Sequence, residues 1–191
     1  MGVLKNIAVF TGGALGEDPA FQEGASLLGK AIAEQKATLI YGGASVGLMG
    51  VLADAALAMG GSVIGILPRF LQTLEFAHQH LTELILVDSM SARKDLIIAR
   101  SDAFIALPGG IGTMDELFEV YTLARLSFHT KPIGLLNIHG YYDTFLSFLD
   151  HMTDRGFLDK ATCNLLCVSE DPVKLLDKMN QVEPLIPVHQ R

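Results

Sequence analysis

The stretch Ala103-Phe104-Ile105-Ala106-Leu107-Pro108-Gly109-Gly110-Ile111-Gly112-Thr113-Met114-Asp115-Glu116 decides the fold. A short apolar run of the kind that forms a buried strand empties into a glycine-rich turn, and a helix starts at once. Such a junction aims several backbone N–H groups and the positive end of a helix dipole at one point beyond the strand's carboxyl end. Gly109, Gly110 and Gly112 let an anion approach that backbone with no Cβ in the way, so the junction suits a phosphate. Glu116 and Glu119 are predicted on the first turns of the new helix, which puts a carboxylate beside the anion. That is awkward for simple binding and natural for catalysis. Structural readings stand beside it: Thr113 and Glu116 have the spacing of a capping box, and Asp115 and Glu119 fit plain dipole stabilisation of ~0.3–1 kcal/mol.

Working outward, β-rich runs alternate with helical periodicity. Strands are predicted at Ile7–Phe10, Thr38–Tyr41, Ser62–Leu67, Glu83–Val87, Ala103–Leu107 and Ile133–Asn137, with a further apolar run at Leu165–Val168. Helices are predicted from about Pro19 to Gln35, Gly47 to Met59, Ser89 to Arg100 and Tyr142 to Asp154, besides the one carrying Glu116. A last helix is capped by Asp171, with Pro172 in its first turn. This rhythm predicts an α/β fold, a doubly wound parallel sheet with helices on both faces. Ligands of such sheets sit beyond the strands' carboxyl ends, where the strand order reverses. One domain over residues 1–191 is expected, with an irregular tail from about residue 182 that includes Pro184 to Arg191.

Composition narrows the partners. At 191 residues, 50% hydrophobic and 18% charged, the chain can bury roughly 70% of its unfolded surface. The net charge of −7 argues against a nucleic-acid polymer or an acidic membrane surface as partner. Between Lys36 and Arg69 the only charge is Asp54, yet glycines divide that run into pieces too short to span a bilayer. A parallel strand and its crossover helix in a sheet covered on both faces would be this apolar. The N-terminus enters a strand directly and lacks a signal-peptide pattern. Cys163 and Cys167, four apart on one helix face or in a buried edge segment, read as reduced thiols of a cytoplasmic protein.

Two more glycine clusters, Gly12-Gly13 and Gly42-Gly43 with Gly47 and Gly50, follow strands at the same end of the sheet. Each alone is an ordinary turn; together with the third they would line a crevice with open backbone. The dinucleotide fingerprint G-x-G-x-x-G is missing after the first strand, and no acid follows the second, which argues against NAD or FAD. Arg93 and Lys94 stand near the start of a helix, where cations oppose the dipole, and this favours a substrate role over a solvated face. Arg100 suits an ordinary ion pair. His78, His80, His139 and His151 show no metal spacing, and His129 reads as a helix-end or interface residue. Ser45 and Ser91 lack the partners of a nucleophilic serine. No metal and no cofactor is predicted. Leu117, Tyr121, Leu123 and Phe128 fit a subunit face or core packing equally.

Pro108-Gly109-Gly110-Ile111-Gly112-Thr113-Met114-Asp115-Glu116 resembles the P-G-G-x-G-T-x-x-E motif of the Lonely Guy (LOG) family of nucleoside 5′-monophosphate phosphoribohydrolases, long labelled lysine decarboxylases. Tyr41-Gly42-Gly43 through Gly47-Leu48-Met49-Gly50 resembles that family's Y-G-G-x-x-x-G-L-M-G element. Met90, Arg93 and Lys94 fit its M-H-x-R-K element, with Ser91 where the family has His; Lys131 to Asn137 and Gly140-Tyr141-Tyr142-Asp143 resemble its downstream segment. The resemblance covers almost the whole chain. It implies a Rossmann-like domain, assembled as a homodimer without metal, that hydrolyses the N-glycosidic bond of adenosine-type 5′-monophosphates such as cytokinin ribosides. It assigns Glu116 and Arg93 to catalysis, and Gly109, Gly110, Gly112, Thr113, Lys94, Gly43 and Met90 to the substrate and its phosphate. The alternatives are a non-catalytic nucleotide or molybdenum-cofactor carrier of the same fold, and a pyridoxal-phosphate decarboxylase with Lys94 as its Schiff-base lysine.

Overall fold

A computed structural model describes residues 4–72 and 77–182. The chain runs β1 (Asn6–Phe10), α1 (Pro19–Glu34), β2 (Thr38–Tyr41), α2 (Gly47–Ala58), β3 (Ser62–Pro68) and α3 (Arg69–Gln72). It continues through β4 (Glu83–Val87), α4 (Met90–Arg100), β5 (Ala103–Ala106), α5 (Ile111–Arg125) and β6 (Ile133–Leu136). A 3-10 turn at Ile138–Gly140, α6 (Asp143–Asp154), α7 (Lys160–Cys163), β7 (Leu166–Ser169) and α8 (Pro172–Asn180) complete it. The tail expected to be irregular, Pro184 to Arg191, lies outside the described residues.

All seven strands pair in parallel, in the order β4-β3-β2-β1-β5-β6-β7. Their side chains alternate between two buried faces, which is why the runs are apolar throughout. Ile7, Val9, Leu39 and Ile105 pack with Leu28 and Ile32 of α1, Leu52 of α2 and Leu176 of α8. Ala8, Phe10, Ile40 and Phe104 pack on the opposite side with Ile97 of α4, Leu117 and Val120 of α5, and Leu149 of α6. The sheet is doubly wound, as the alternation predicts.

Caps set the helix entries. Asp18 accepts from the Ala20 N–H at 2.9 Å ahead of Pro19, Ser89 accepts from Ala92 N–H at 3.1 Å, and Asp171 accepts from Lys174 N–H at 3.0 Å ahead of Pro172. Ser89 is therefore the cap of α4 rather than its first residue. The nearly charge-free run becomes β2, α2 and β3, and no helix among the described residues is long and apolar enough to cross a membrane.

α5 begins at Ile111 with Gly110 as its N-cap, which puts Glu116 on the second turn and Glu119 on the third. Other expectations need correction. The Thr113–Glu116 capping box does not form, because α5 starts ahead of it: Gly110 is the N-cap and Thr113 is already the third helical residue. Leu117 and Tyr121 are buried in the core, leaving Phe128 exposed among the four residues that fitted either a subunit face or the core. Cys163 ends α7 and Cys167 sits in β7, so the two free thiols share no helix face.

Candidate active site

The strand order reverses between β1 and β5, whose pairing of Ile7 with Ala103 through Phe10 with Ala106 brings their carboxyl ends level. The two turns beyond them touch: the Gly12 N–H donates to the Pro108 carbonyl at 3.2 Å. A crevice of about 260 Å³ opens there. The β1 turn supplies Thr11, Gly12 and Gly13; α4 supplies Met90 and Arg93; α2 supplies Met49; and Gly110, Gly112, Thr113, Asp115 and Glu116 come from the α5 junction.

No side chain caps α5. Its helical ladder starts with Met114 N–H on the Gly110 carbonyl, so the amides ahead of it have no intrahelical acceptor and are free for an anion. A Cβ added at Gly110 or Gly112 would meet nothing within 4 Å, which means that both face open space. Gly109 differs, since a Cβ there would overlap Thr113 Oγ1 and stand 2.8 Å from the Gly12 nitrogen. Gly109 lets the two turns close against each other, while Gly110 and Gly112 leave room for a ligand.

Beneath these amides, Glu116 Oε1 lies 3.2 Å from Arg93 Nη2, with side chains only 9% and 11% exposed. That carboxylate oxygen makes no hydrogen bond among the described residues, so charge rather than directed bonding holds the pair. Burial raises the Glu116 pKa above its ordinary value, with Asp115 and Glu119 pushing the same way and the Arg93 guanidinium pulling it back. Arg93 is anchored by its Nε, which donates to the Ile66 carbonyl at the end of β3 at 3.1 Å. Its guanidinium also fills the space above Gly42, where any Cβ would overlap Nη2. A desolvated carboxylate held ready by one cation opens onto the same crevice as the amides.

The site gathers Glu116, Arg93, Met90, Gly110, Gly112 and Thr113, all anticipated from sequence, while Gly109 packs just behind them. Lys94 and Gly43 lie elsewhere. Lys94 Nζ contacts Asp115 at 3.0 Å and Glu119 at 2.8 Å, tying α4 to α5 instead of facing an anion. Asp115 and Glu119 are thus ion-pair partners more than dipole complements. Hydrogen bonds to these carboxylates raise the Lys94 pKa, whereas a Schiff-base lysine needs a depressed one, so Lys94 does not fit a pyridoxal-phosphate site. Gly43 takes φ +80° and packs its backbone against Leu67, Leu84 and Gly65.

Sequence reasoning missed Thr11, Met49 and the service of Gly42 to Arg93. Thr11 was signalled by its place directly after β1, and Met49 by the Gly47-Leu48-Met49-Gly50 element; nothing local signalled Gly42's partner. A second, more apolar cavity of about 420 Å³, lined by Ala44, Val46, Leu67 and Leu71, shares Gly13, Met49 and Arg93 with the first. Among the described residues no cluster of His, Cys, Asp or Glu is arranged to hold a metal ion. His78 pairs with Asp54 at 3.0 Å and His139 with Asp18 at 2.8 Å. His129 closes the end of α5, its Nε2 2.9 Å from the Val120 carbonyl.

Fold and site together define a Rossmann-type α/β protein whose topological switch point holds a crevice beside the uncapped start of α5. The chain belongs to the LOG family: residues 49–179 match the family model described as "Possible lysine decarboxylase". It is 40% identical over 181 residues to a cytokinin riboside 5′-monophosphate phosphoribohydrolase of Arabidopsis thaliana, covering 95% of this chain and 83% of that one. To the protein of the same name from Rhodococcoides fascians it is 46% identical over 168 residues, covering 87% and 85%. Among solved structures, the molybdenum cofactor binding protein of Rippkaea orientalis superposes with a TM-score of 0.70 at 22% identity, covering 92% of this chain and 95% of that one. The Moco carrier protein of Chlamydomonas reinhardtii gives 0.69 at 25%, covering 93% and 96%.

Proposed function

We propose that this protein is a phosphoribohydrolase, a hydrolase of N-glycosyl compounds that cleaves adenosine-type 5′-monophosphates, cytokinin ribosides among them, into free base and ribose 5-phosphate. One observation carries the reading: the buried Glu116–Arg93 pair and the uncapped amides of α5 open onto one crevice. The names of the relatives agree with it.

The chemistry follows from the geometry. The 5′-phosphate sits on the amides at Gly110 to Thr113, so its binding energy orients the ribose over Glu116. As the C1′–N9 bond breaks, its electron pair leaves with the base and positive charge grows at C1′. A carboxylate short of solvation is the group that gains most from a cation forming beside it, and Glu116 also orients the incoming water. Oxygen of that water bonds to C1′ and its proton ends on the departing base. Arg93 keeps Glu116 ionised until that moment. The base extends into the apolar cavity past Met49, where Val46, Leu67 and Leu71 suit an apolar N6 substituent.

We further propose that the chain acts as a single domain within a homodimer and on small nucleotides, not nucleic-acid polymers. Supporting a subunit face at the β4 edge, Ile97 is the one buried residue of α4, while Leu84, Ile85, Leu86, Val87, Leu96 and Ile98 are only partly covered.

The test is chromatographic detection of free base and ribose 5-phosphate from AMP and from a cytokinin riboside 5′-monophosphate. Glu116→Gln is expected to lose about 100-fold or more of the rate while keeping its circular dichroism spectrum. Absence of base release from every nucleotide tried would overturn the proposal. Tight binding without turnover would instead favour a carrier role like that of the molybdenum-cofactor proteins sharing the fold.

A further inference from the structure

Gly109, Gly110 and Gly112 make the anion loop accessible, and they also make it loose. A peptide between two glycines can flip at little steric cost, turning its N–H away from a ligand and its carbonyl toward it. Something must hold the Gly109–Gly110 peptide in one sense. The Tyr141 hydroxyl donates a hydrogen bond to the Gly109 carbonyl. A trans peptide carries its C=O and N–H on opposite sides, so fixing the Gly109 oxygen toward Tyr141 fixes the Gly110 N–H away from it. Gly110 lines the crevice.

Tyr141 comes prepared for this. Its ring meets Phe21 of α1 edge-on, centroids 5.6 Å apart, and Tyr142 at 5.0 Å and 90°. The turn presenting it is pinned by the Asn137 side chain, which accepts from the Tyr142 N–H at 2.6 Å and donates to Asp143 at 2.8 Å. The His139–Asp18 contact ties that turn to the start of α1. The neighbouring Tyr142 offers a contrast: it is fully buried, and its hydroxyl donates to the Leu107 carbonyl, before the loop begins. Tyr141 is 42% exposed and contributes little to the core.

We propose that Tyr141 is a positioning residue for the phosphate, acting through the Gly109–Gly110 peptide. The inference rests on the phosphoribohydrolase reading of the crevice and deepens it. The hydroxyl holds the carbonyl outward, so the Gly110 amide stays aimed at the anion in the ground state and the transition state alike. Its loss is uniform binding lost, which falls on KM rather than kcat.

The experiment compares Tyr141→Phe, which keeps the ring, with Tyr142→Phe and the unsubstituted protein. Affinities for ribose 5-phosphate and for phosphate-free adenosine are measured by calorimetry, and KM and kcat with AMP. Tyr141→Phe is expected to weaken ribose 5-phosphate about 3- to 10-fold and raise KM for AMP to match, with melting temperature and adenosine affinity as before. Tyr142→Phe is expected to lower the melting temperature with ribose 5-phosphate affinity intact. Unchanged ribose 5-phosphate affinity in Tyr141→Phe, or an equal loss with adenosine, overturns the inference while leaving the hydrolase reading untouched. If the unsubstituted protein binds neither ribose 5-phosphate nor AMP, the reading of the crevice falls and the inference with it.

Discussion

Removing the cation from the buried pair, and then removing the charge it balances, gives the sharpest test of the site's electrostatics. Arg93→Met keeps most of the side-chain volume but takes from Glu116, only 9% exposed, its one ion-pair partner among the described residues, leaving the weaker pull of Lys94. Stripping one partner from a buried ion pair costs about 3–5 kcal/mol, because the remaining charge stays desolvated. The substitution also strands the Ile66 carbonyl, a loss of about 1–3 kcal/mol that is common to any variant lacking Arg93. The double variant Arg93→Met/Glu116→Gln carries that second cost without the uncompensated charge. It should therefore recover at least about 2 kcal/mol at pH 7, or roughly 4–8 °C of melting temperature for a domain this long.

The same comparison has a defined pH dependence. Burial holds the folded Glu116 pKa above the 4.5 of the free side chain, and without Arg93 nothing comparable pulls it down. As pH rises past 4.5, the unfolded chain releases a proton that the folded chain still holds, so stability falls until the folded carboxyl also ionises. The gap between the single and double variants should open with rising pH and close toward pH 4.5. Urea titrations followed by circular dichroism between pH 5 and 8 read it directly; other titrating groups cancel in the difference. Equal stability of the two variants at pH 7, or a gap that widens on acidification, would refute the reasoning.

Two glycines three positions apart should respond oppositely to the same change. Gly109→Ala forces a methyl against the Gly12 nitrogen and Thr113, and is expected to cost about 1–3 kcal/mol in a denaturant titration. Gly112→Ala meets open space and removes unfolded-state freedom, so it should melt no lower, up to ~1 kcal/mol more stable, yet place its methyl in the crevice and weaken AMP binding about tenfold or more. The acid limb of kcat/KM for AMP is expected to titrate above pH 4.5, since the ionised Glu116 is the active form and burial raises its pKa. A rate that stays flat down to pH 4.5 would remove Glu116 from that role.

The strands were legible because the apolar runs of β1, β2, β3 and β5 are closed by glycine or proline, and parallel order follows once helices are seen to alternate with them. Three glycine clusters at one sheet end mark the crevice and the cavity beside it. α3, α7 and the 3-10 turn escaped because three or four residues are too few to show a helical period. Lys94 was misplaced for a related reason. It adjoins Arg93 in sequence, but successive helical residues point about 100° apart. Arg93 therefore turns to Ile66 and Glu116, while Lys94 turns to Asp115 and Glu119. Gly42 presents the harder limit, since its smallness answers to a guanidinium about fifty residues away in sequence. Such a requirement exists only in the folded chain.

α5 does two jobs, and its geometry explains why one helix can do both. Its uncapped first turn offers the amides proposed to hold the anion, and Glu116 follows Gly112 by four residues, about 6 Å along the axis at 1.5 Å per residue. That rise is comparable to the reach from a 5′-phosphate across its ribose to the anomeric carbon, so one rigid element sets the distance between the group that is gripped and the bond that breaks. A carboxylate on the first turn would stand against the phosphate, where two like charges repel. On the second turn it is far enough to escape that conflict, close enough to face the sugar, and deep enough for burial to sharpen its response to a forming cation. Arg93, reaching across from α4, is the strongest of the positive charges that favour the ionised form of this buried acid, ahead of Lys94.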